Sequence, residues 1–344
     1  EQIRAIVNAG IPVCAHIGMT PQSVNVFGGF KVQGKGEANA KRVLEDAFEV
    51  QQAGAFMCVL ECVPPKLAAL ITKKVDMITF TGSTEVGQSI AKASVGNLKK
   101  IGLELGGKSP NVIFADADFE GAVEWAMIGI FFNQGEVCSA GSRIIIEESI
   151  KDKFVARLKE RAENITIGNP LNNPDMGPLV SESHMNKVLD YIDKGKKEGA
   201  TLVCGGYRYT EGECAKGYYV KPTIFDNCTS DMTIVKEEIF GPVVTIQTFK
   251  TEEEAIALAN DTIYGLAGGV FTSDVSRALR VIKEIRAGIT WINCYNPTFN
   301  EAPWGGYKMS GIGRELGVHG LEEYQEVKQI NINLTPGIVG WYEH

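Results

Sequence analysis

The chain has 344 residues, 44% hydrophobic and 22% charged, and this composition excludes a disordered or fibrous protein. Its 34 basic and 42 acidic residues leave a net charge of −8, without a basic run that would neutralise a nucleic-acid backbone. No apolar run approaches the roughly 20 residues that span a bilayer. Eight scattered cysteines and four histidines form neither a disulfide framework nor a zinc pattern, so we expect a cytoplasmic protein without a metal.

Apolar runs rich in β-branched residues alternate with helical periodicity, which is typical of an α/β fold with largely parallel strands. The first 81 residues predict strands over 11–16, 56–61 and 77–81 with helices over 37–53 and 64–73 between them. Later strands are predicted over 111–114, 143–147, 243–249, 269–271 and 288–293. Later helices are predicted over 120–130, 149–164, 181–198, 251–261 and 273–285, and an exposed excursion over 205–217.

Five motifs follow one another from residue 75 to the C-terminal region. They are F-T-G-S-T-E-V-G (80–87), L-E-L-G-G-K-S-P (103–110), N-Q-G-E-V-C-S-A (133–140), K-E-E-I-F-G-P-V (236–243) and A-P-W-G-G-Y-K-M-S-G-I-G-R-E-L-G (302–317). In this order they resemble the aldehyde dehydrogenase family, and the A-P-W-G-G form resembles its betaine-aldehyde members. The resemblance implies oxidation of an aldehyde to a carboxylic acid with NAD or NADP as cofactor.

The first 74 residues resemble a different family. I-P-V-C-A-H-I-G-M-T-P-Q-S-V-N-V-F-G-G-F-K-V-Q-G (11–34) and V-L-E-C-V-P (59–64) are similar to ketopantoate hydroxymethyltransferase, a (β/α)8-barrel enzyme. The seam between the two resemblances falls within 73–76. Because this slice supplies helix, strand and helix before the strand at 77–81, we expect it to complete a partial dinucleotide-binding sheet.

The two resemblances divide the chain into four predicted parts. Residues 1–74 are the barrel fragment, 75–106 the remainder of the dinucleotide-binding domain, and 107–320 the aldehyde dehydrogenase catalytic domain. Residues 321–344 form a C-terminal segment with an oligomerisation strand over 328–333, through which a homo-oligomer is expected. The expected ligand is a small-molecule aldehyde, and neither nucleic acid nor a membrane is an expected partner.

Cys138 and Glu104 are the candidate catalytic residues. Cys138 lies among small polar residues, where a thiol is partly exposed and a neighbouring dipole or base can activate it, although an inert buried cysteine fits the same composition. Cys294 is the next candidate. Glu104 follows an apolar pair that would desolvate its carboxylate and raise its pKa, although a solvated strand-end position is the alternative.

The resemblance favours a catalytic role for both residues over the inert buried cysteine and the solvated glutamate. Cys138 matches the nucleophile that forms a thiohemiacetal with the aldehyde, and Glu104 matches the base that activates water for thioester hydrolysis. Glu136, two residues before the nucleophile, is a second candidate for the base, although a glutamate in a loop is more commonly a solvated residue.

A second group of residues matches cofactor-binding positions of the family. The turn with Gly82 and Ser83 joins a strand to a helix, whose free N–H groups and dipole favour a phosphate. By resemblance these two lie beside the pyrophosphate, and Leu105 belongs to the same site. Glu238 and Phe240 match residues that bind the nicotinamide ribose and ring; otherwise they would be a surface charge and a core aromatic.

Four aromatic residues are candidates for the substrate site. A quaternary ammonium donates no hydrogen bond and is held against aromatic faces, each contributing up to about 2 kcal/mol when desolvated. Trp304 with Tyr295, Phe299 and Phe132 would supply part of such a cage. Ordinary aromatic packing is the alternative.

The sequence departs from the aldehyde dehydrogenase pattern before residue 75. It contains no P-W-N-F-P-like motif, whose Asn completes the oxyanion hole, and no K-P-S-E-like motif, whose Lys holds the adenine ribose. One alternative is therefore a catalytically impaired chimeric or truncated protein of this fold. Another is a hydroxymethyltransferase using His16 and Glu61, which the missing acidic metal ligands argue against.

Overall fold

The computed structural model describes residues 1–29, 31–73, 75–335 and 337, and it divides into two compact units. The first unit comprises Glu1–Phe80 and Glu85–Ile101, and the second comprises Thr81–Thr84 and Gly102–His344. The first unit thus contains the predicted barrel fragment and most of the predicted 75–106 part. Lys74, inside the predicted seam, lies outside the described residues. Among the described helices, none is long and apolar enough to cross a membrane.

The described residues form twelve strands and eleven α-helices. The strands are β1 Cys14–Gly18, β2 Met57–Glu61, β3 Met77–Thr81, β4 Lys100–Glu104, β5 Pro110–Ile113, β6 Arg143–Glu147, β7 Thr201–Cys204, β8 Thr223–Asp226, β9 Val243–Phe249, β10 Ala267–Phe271, β11 Ile289–Ile292 and β12 Gly311–Ile312. The helices are α1 Gln2–Asn8, α2 Glu37–Gln52, α3 Pro65–Thr72, α4 Thr84–Ser94, α5 Phe119–Phe131, α6 Lys151–Glu163, α7 Glu182–Lys197, α8 Thr233–Lys236, α9 Glu252–Asn260, α10 Val275–Glu284 and α11 Gly317–Glu322.

The first unit contains a two-stranded parallel sheet. β1 and β2 pair from Cys14↔Met57 to Gly18↔Glu61, and one face packs against α2 and α3 around Ile17, Val43 and Leu67. β3 belongs to a different sheet, with order β12-β4-β3. The expectation that the barrel slice completes the sheet containing β3 is therefore not confirmed, because β1 and β2 pair with each other.

The second unit is built on a seven-stranded sheet with order β11-β10-β5-β6-β9-β8-β7. Its neighbouring strands are parallel except at the edge, where β7 runs antiparallel to β8. The α/β prediction is confirmed, and the edge strand makes the sheet mixed rather than wholly parallel. Such an edge is common on doubly covered sheets.

The central strand β6 explains why this sheet is covered on both faces. Ile144, Ile145 and Ile146 are all 0% exposed, and alternate side chains of a strand point to opposite faces. Ile144 and Ile146 pack in a cluster with side chains of α5 and α6, whereas Ile145 packs in a second cluster with side chains of α9 and α10. A run of three β-branched residues therefore holds three layers together.

The predicted oligomerisation strand is not formed in this structure. Residues 328–333 have no regular secondary structure, and Ile330 and Ile332 are each 74% exposed. Of the rest of the predicted C-terminal segment, Pro336 and residues 338–344 lie outside the described part of the chain.

Replacing Ile144 by Ala is expected to lower the free energy of unfolding of the second unit by about 2–5 kcal/mol, because it leaves a cavity beside a central strand. The matched control is Leu202→Ala on edge strand β7, whose side chain is 37% exposed. Urea unfolding is followed by tryptophan fluorescence, since the three tryptophans within the described residues (125, 291 and 304) belong to the second unit. Equal losses in the two variants would contradict the assignment of β6 to the core.

Candidate active site

Three loops of the second unit meet at one edge of the seven-stranded sheet. Residues 105–109 precede β5, residues 137–142 precede β6, and residues 237–242 precede β9. These strands are parallel neighbours, so their amino ends share an edge. Arg143 N–H donates to the Ser109 carbonyl at 3.3 Å, and Thr245 N–H donates to the Ser142 carbonyl at 3.0 Å. The motifs around Glu104, Cys138 and Glu238 therefore lie side by side.

The loop that carries Cys138 begins in a strained conformation. Asn133, Gln134 and Gly135 have φ values of 48°, 58° and 72°, all left-handed. At 135 only glycine fits, because a Cβ there would lie 2.2 Å from the Gly241 carbonyl oxygen. Strain of this kind persists only where surrounding contacts enforce it, and it is frequent at functional sites. The loop before Cys138 is thus fixed by its packing rather than flexible.

Cys138 is partly exposed, as its polar neighbours predict. Burial nevertheless raises the pKa of its thiol, and the carboxylates of Glu238 and Glu104 raise it further. The backbone N–H of Ser139 has the opposite effect, because it stabilises the thiolate. The polar turn alone therefore does not lower the pKa of this cysteine, and a nearby group must accept the thiol proton for the thiolate to form.

Glu104 is the last residue of β4 and is 6% exposed. Neither of its carboxylate oxygens has a hydrogen-bond partner among the described residues. Burial first, and then the charge of Glu315, raise its pKa from 4.5 to about 8, while Arg314 opposes the shift. Gly305 makes room for the carboxylate, since a Cβ there would lie 2.9 Å from Oε1. The desolvation predicted from the apolar neighbours of Glu104 is present, and its pKa suits proton exchange near neutral pH.

Glu136 is not the solvated residue that its loop position predicts. Its side chain is 9% exposed, and Oε1 accepts a hydrogen bond from Val180 N–H at 3.1 Å. His184 Nε2 lies 3.5 Å from the same oxygen and donates to the Phe240 carbonyl at 2.6 Å. Glu136 and His184, the latter not singled out in the sequence, thus connect the nucleophile loop to the loop before β9.

Glu238 and Phe240 lie against the nucleophile loop. Together with Val137 and Ala140 they line a narrow crevice at the sheet edge. Glu238 Oε1 accepts a hydrogen bond from Gly107 N–H at 2.9 Å, and both Glu238 and Phe240 are partly exposed. Phe240 has a φ of 60°, which its carbonyl bond to His184 helps to hold.

The other cofactor candidates differ in exposure: Gly82 and Ser83 are exposed, whereas Leu105 is buried. Gly82 and Ser83 form the exposed turn between β3 and α4, and Gly82 N–H donates to the Glu104 carbonyl at 3.0 Å. The strand-turn-helix arrangement expected for a phosphate turn is therefore present. Leu105 is 4% exposed and its N–H donates to the Ser310 carbonyl, so its side chain faces the interior.

The aromatic candidates do not form one cage. Trp304 packs against Trp291 with ring centroids 6.4 Å apart, and Trp291 packs against Tyr295 at 4.8 Å. Tyr295 is 0% exposed, so its ring cannot face a substrate in this structure, and we withdraw it from the substrate group. Phe132 and Phe299 are 64% and 65% exposed. Their sequence positions alone could not distinguish buried from exposed rings.

His16 and Glu61, the two residues of the barrel resemblance, meet in the first unit. His16 Nε2 lies 2.9 Å from Glu61 Oε2 across the β1–β2 pair. Within the described residues, no group of three or more His, Cys, Asp or Glu side chains could hold a metal ion.

Two family models match the chain. The aldehyde dehydrogenase family matches residues 51–330, and the ketopantoate hydroxymethyltransferase family matches residues 1–89. The two ranges overlap over 51–89, so the seam predicted at 73–76 lies within the overlap.

Relatives of the chain are named as aldehyde dehydrogenases. Betaine aldehyde dehydrogenase of Bacillus subtilis is 52% identical over 79% of this chain and 56% of its own length. Aldehyde dehydrogenase 1A1 of Gallus gallus is 50% identical over 83% of this chain and 57% of its own length. The crystal structure of Staphylococcus aureus betaine aldehyde dehydrogenase in complex with NAD+ superposes with a TM-score of 0.81 at 47% identity, over 86% of this chain and 60% of that one. The chain therefore spans little more than half the length of these relatives, and it belongs to the aldehyde dehydrogenase family.

Proposed function

We propose that this chain carries the catalytic part of an enzyme that oxidises an aldehyde to a carboxylic acid with NAD, with Cys138 as nucleophile and Glu104 as base. The observation that carries the proposal is the meeting of three loops at one sheet edge. Glu104, Cys138 and Glu238 interact electrostatically there, although 134 residues separate the first from the last. Loop residues placed by a rigid sheet are common carriers of catalysis.

The chemistry of the two catalytic residues follows from their surroundings. In this proposal the Cys138 thiolate adds to the aldehyde carbonyl carbon, and the backbone N–H of Cys138 donates to the oxygen that becomes negative. Because burial raises the pKa of the thiol, its proton needs a nearby acceptor. Glu104, with a pKa of about 8, can take a proton from an attacking water when the acyl group is released from Cys138.

The residues proposed to bind the cofactor lie where the nicotinamide end of NAD would bind. Glu238 offers a partly exposed carboxylate for ribose hydroxyls, and Phe240 offers a partly exposed ring in the same crevice as the Cys138 loop. Gly82 and Ser83 would lie beside the pyrophosphate. When bound, NAD accepts the hydride of the aldehyde carbon. The binding of NAD+ by the Staphylococcus aureus relative supports this choice over NADP.

Betaine aldehyde is the substrate that we propose. Trp304 supports it, because an indole face attracts a quaternary ammonium that offers no hydrogen-bond donor. Phe299 and Phe132, which are exposed, are the further candidates for contact with it. The name of the Bacillus subtilis relative points to the same substrate.

We also propose that the chain divides into four parts after residues 74, 106 and 320. We further propose a homo-oligomer formed through residues 328–333 and a cytoplasmic location. All eight cysteines are free, which supports a reducing compartment.

An impaired enzyme is the second candidate, and the absence of the P-W-N-F-P-like motif favours it. Without that Asn the oxyanion on the thiohemiacetal loses a side-chain donor, and removal of one such donor typically lowers the rate about 100- to 1,000-fold. Without the K-P-S-E-like Lys the adenosine end of the cofactor loses a partner. Hydrolysis of an activated ester at Cys138 needs no cofactor and is expected to persist.

The first functional prediction compares two reactions on one preparation of the chain. We expect slow hydrolysis of a nitrophenyl ester. We expect the turnover number for aldehyde oxidation to stay below about 1 s⁻¹, which is the low end of the range for typical enzymes. Cys138→Ser should lower ester hydrolysis by about 100-fold or more, because loss of a nucleophile costs orders of magnitude.

Cys294→Ser is the matched control and should leave ester hydrolysis unchanged. Ester hydrolysis that survives Cys138→Ser would contradict the proposed nucleophile. Aldehyde oxidation faster than about 1 s⁻¹ would support the full dehydrogenase and overturn the impaired alternative.

Glu104→Gln is expected to remove the rise of steady-state ester hydrolysis through about pH 8. The base works only when deprotonated, so the wild-type rate increases as pH rises through the Glu104 pKa of about 8. Ionisation of Cys138 governs the initial burst instead, so burst and steady-state phases are measured separately. Glu253→Gln, at an exposed position of α9, is the control; an unchanged steady-state profile in Glu104→Gln would rule out Glu104 as the base.

Trp304→Ala is expected to weaken binding of betaine aldehyde more than binding of a neutral aldehyde of similar size. Loss of a cation–π face of about 1–2 kcal/mol corresponds to at most about a 30-fold difference. Competition of each aldehyde with ester hydrolysis gives the two inhibition constants. Equal losses for both aldehydes would mean that Trp304 only packs.

A further inference from the structure

Ser139, the residue after Cys138, is held by two neighbouring side chains from the turn that follows β11. Tyr295 Oη donates to the Ser139 carbonyl oxygen at 2.8 Å, and Ser139 Oγ donates to Asn296 Oδ1 at 3.0 Å. Ser139 is 2% exposed and Tyr295 is 0% exposed, so water does not compete for these bonds. One turn therefore fixes both the backbone and the side chain of Ser139.

The ring of Tyr295 packs closely against three glycines, which lie on a helix, in the loop before β6 and on a strand. An added Cβ at Gly129 of α5, at Gly141, or at Gly269 of β10 would lie 3.3, 3.2 or 2.8 Å from a ring carbon of Tyr295. Such close packing on several sides leaves the ring one position. The hydroxyl is consequently aimed at Ser139 by the fold itself.

The position of Ser139 matters because its backbone N–H stabilises the Cys138 thiolate. The negative charges of Glu104 and Glu238 destabilise the thiolate and so raise the pKa of Cys138. The groups that act on the Tyr295 hydroxyl are the Ser109 side chain, the Arg143 guanidinium and the Cys138 thiol. The N–H and the carbonyl of Ser139 belong to successive peptide groups that meet at its Cα, so a displacement of the whole residue would misalign the N–H, and hydrogen bonds weaken steeply with angle.

We propose that Tyr295 is a positioning residue for the nucleophile: by donating to the Ser139 carbonyl, it holds the residue next to Cys138 in place and limits movement of the turn that carries the thiol. The inference deepens the proposed function, because it rests on Cys138 being the nucleophile. Tyr295 is 0% exposed, and its hydroxyl reaches the nucleophile loop at Ser139. Asn296 secures the same residue through its side chain.

The test is the pH-rate profile of Cys138 alkylation by iodoacetamide, quantified by peptide mass spectrometry on the full chain. Tyr295→Phe keeps the packed ring and removes only the hydroxyl. We expect the Cys138 profile to move to higher pH and the rate at pH 7.5 to fall about threefold to tenfold, the factor that one hydrogen bond contributes. Labelling of Cys294, the residue before Tyr295, should stay unchanged.

Tyr219→Phe is the matched control, since Tyr219 is a buried tyrosine outside the three loops, 6% exposed. Ser139→Ala removes the bond to Asn296, leaves the bond from Tyr295 in place and should give a smaller shift in the same direction. An unchanged Cys138 profile, or a parallel rise in Cys294 labelling, would overturn the proposal. Alkylation requires no turnover, so this outcome is independent of whether Cys138→Ser abolishes ester hydrolysis.

Discussion

The architecture of the second unit depends on one buried cation. Arg143, 1% exposed, donates to the carbonyl oxygens of Lys108, Leu258 and Ala259 at 2.8–2.9 Å. Burial lowers its pKa to about 10, which leaves the guanidinium charged at neutral pH. A buried charge without partners is strongly destabilising, so these three carbonyls must stay in place. Because Arg143 begins β6 and Lys108 precedes β5, the same bonds fix the sheet edge at which Cys138 lies.

The parts of the fold that could be predicted are those specified by local pattern. The bounds predicted for three strands, over 77–81, 143–147 and 243–249, match β3, β6 and β9 residue for residue. The pattern predicts no strand at β4, β7, β8 or β12. β4 is paired through Glu104↔Gly311, with a partner about two hundred residues away, and strand propensity depends on such neighbours. β1 begins three residues later than predicted, since Ile11 is 55% exposed and outside the core.

The candidate site was predictable where a motif names the residue and unpredictable where a distant contact decides its role. Motifs pointed to Cys138 and Glu104, and the structure adds the desolvation that a motif cannot measure. Glu136 was misjudged because its hydrogen-bond donor Val180 lies 44 residues away. Tyr295 was misjudged because sequence patterns do not distinguish a ring that faces a cavity from one that packs beneath it.

The small core of the first unit has a consequence for the lifetime of the whole chain. Its main apolar cluster has three buried members, Ile17, Val43 and Leu67, whereas Phe48 and Phe56 are 61% and 65% exposed. Segments with few buried apolar contacts open at low free energy, and proteases act on the opened form. Degradation of this protein is therefore expected to start in the first unit, so residues that take no part in the proposed chemistry set how long Cys138 remains available.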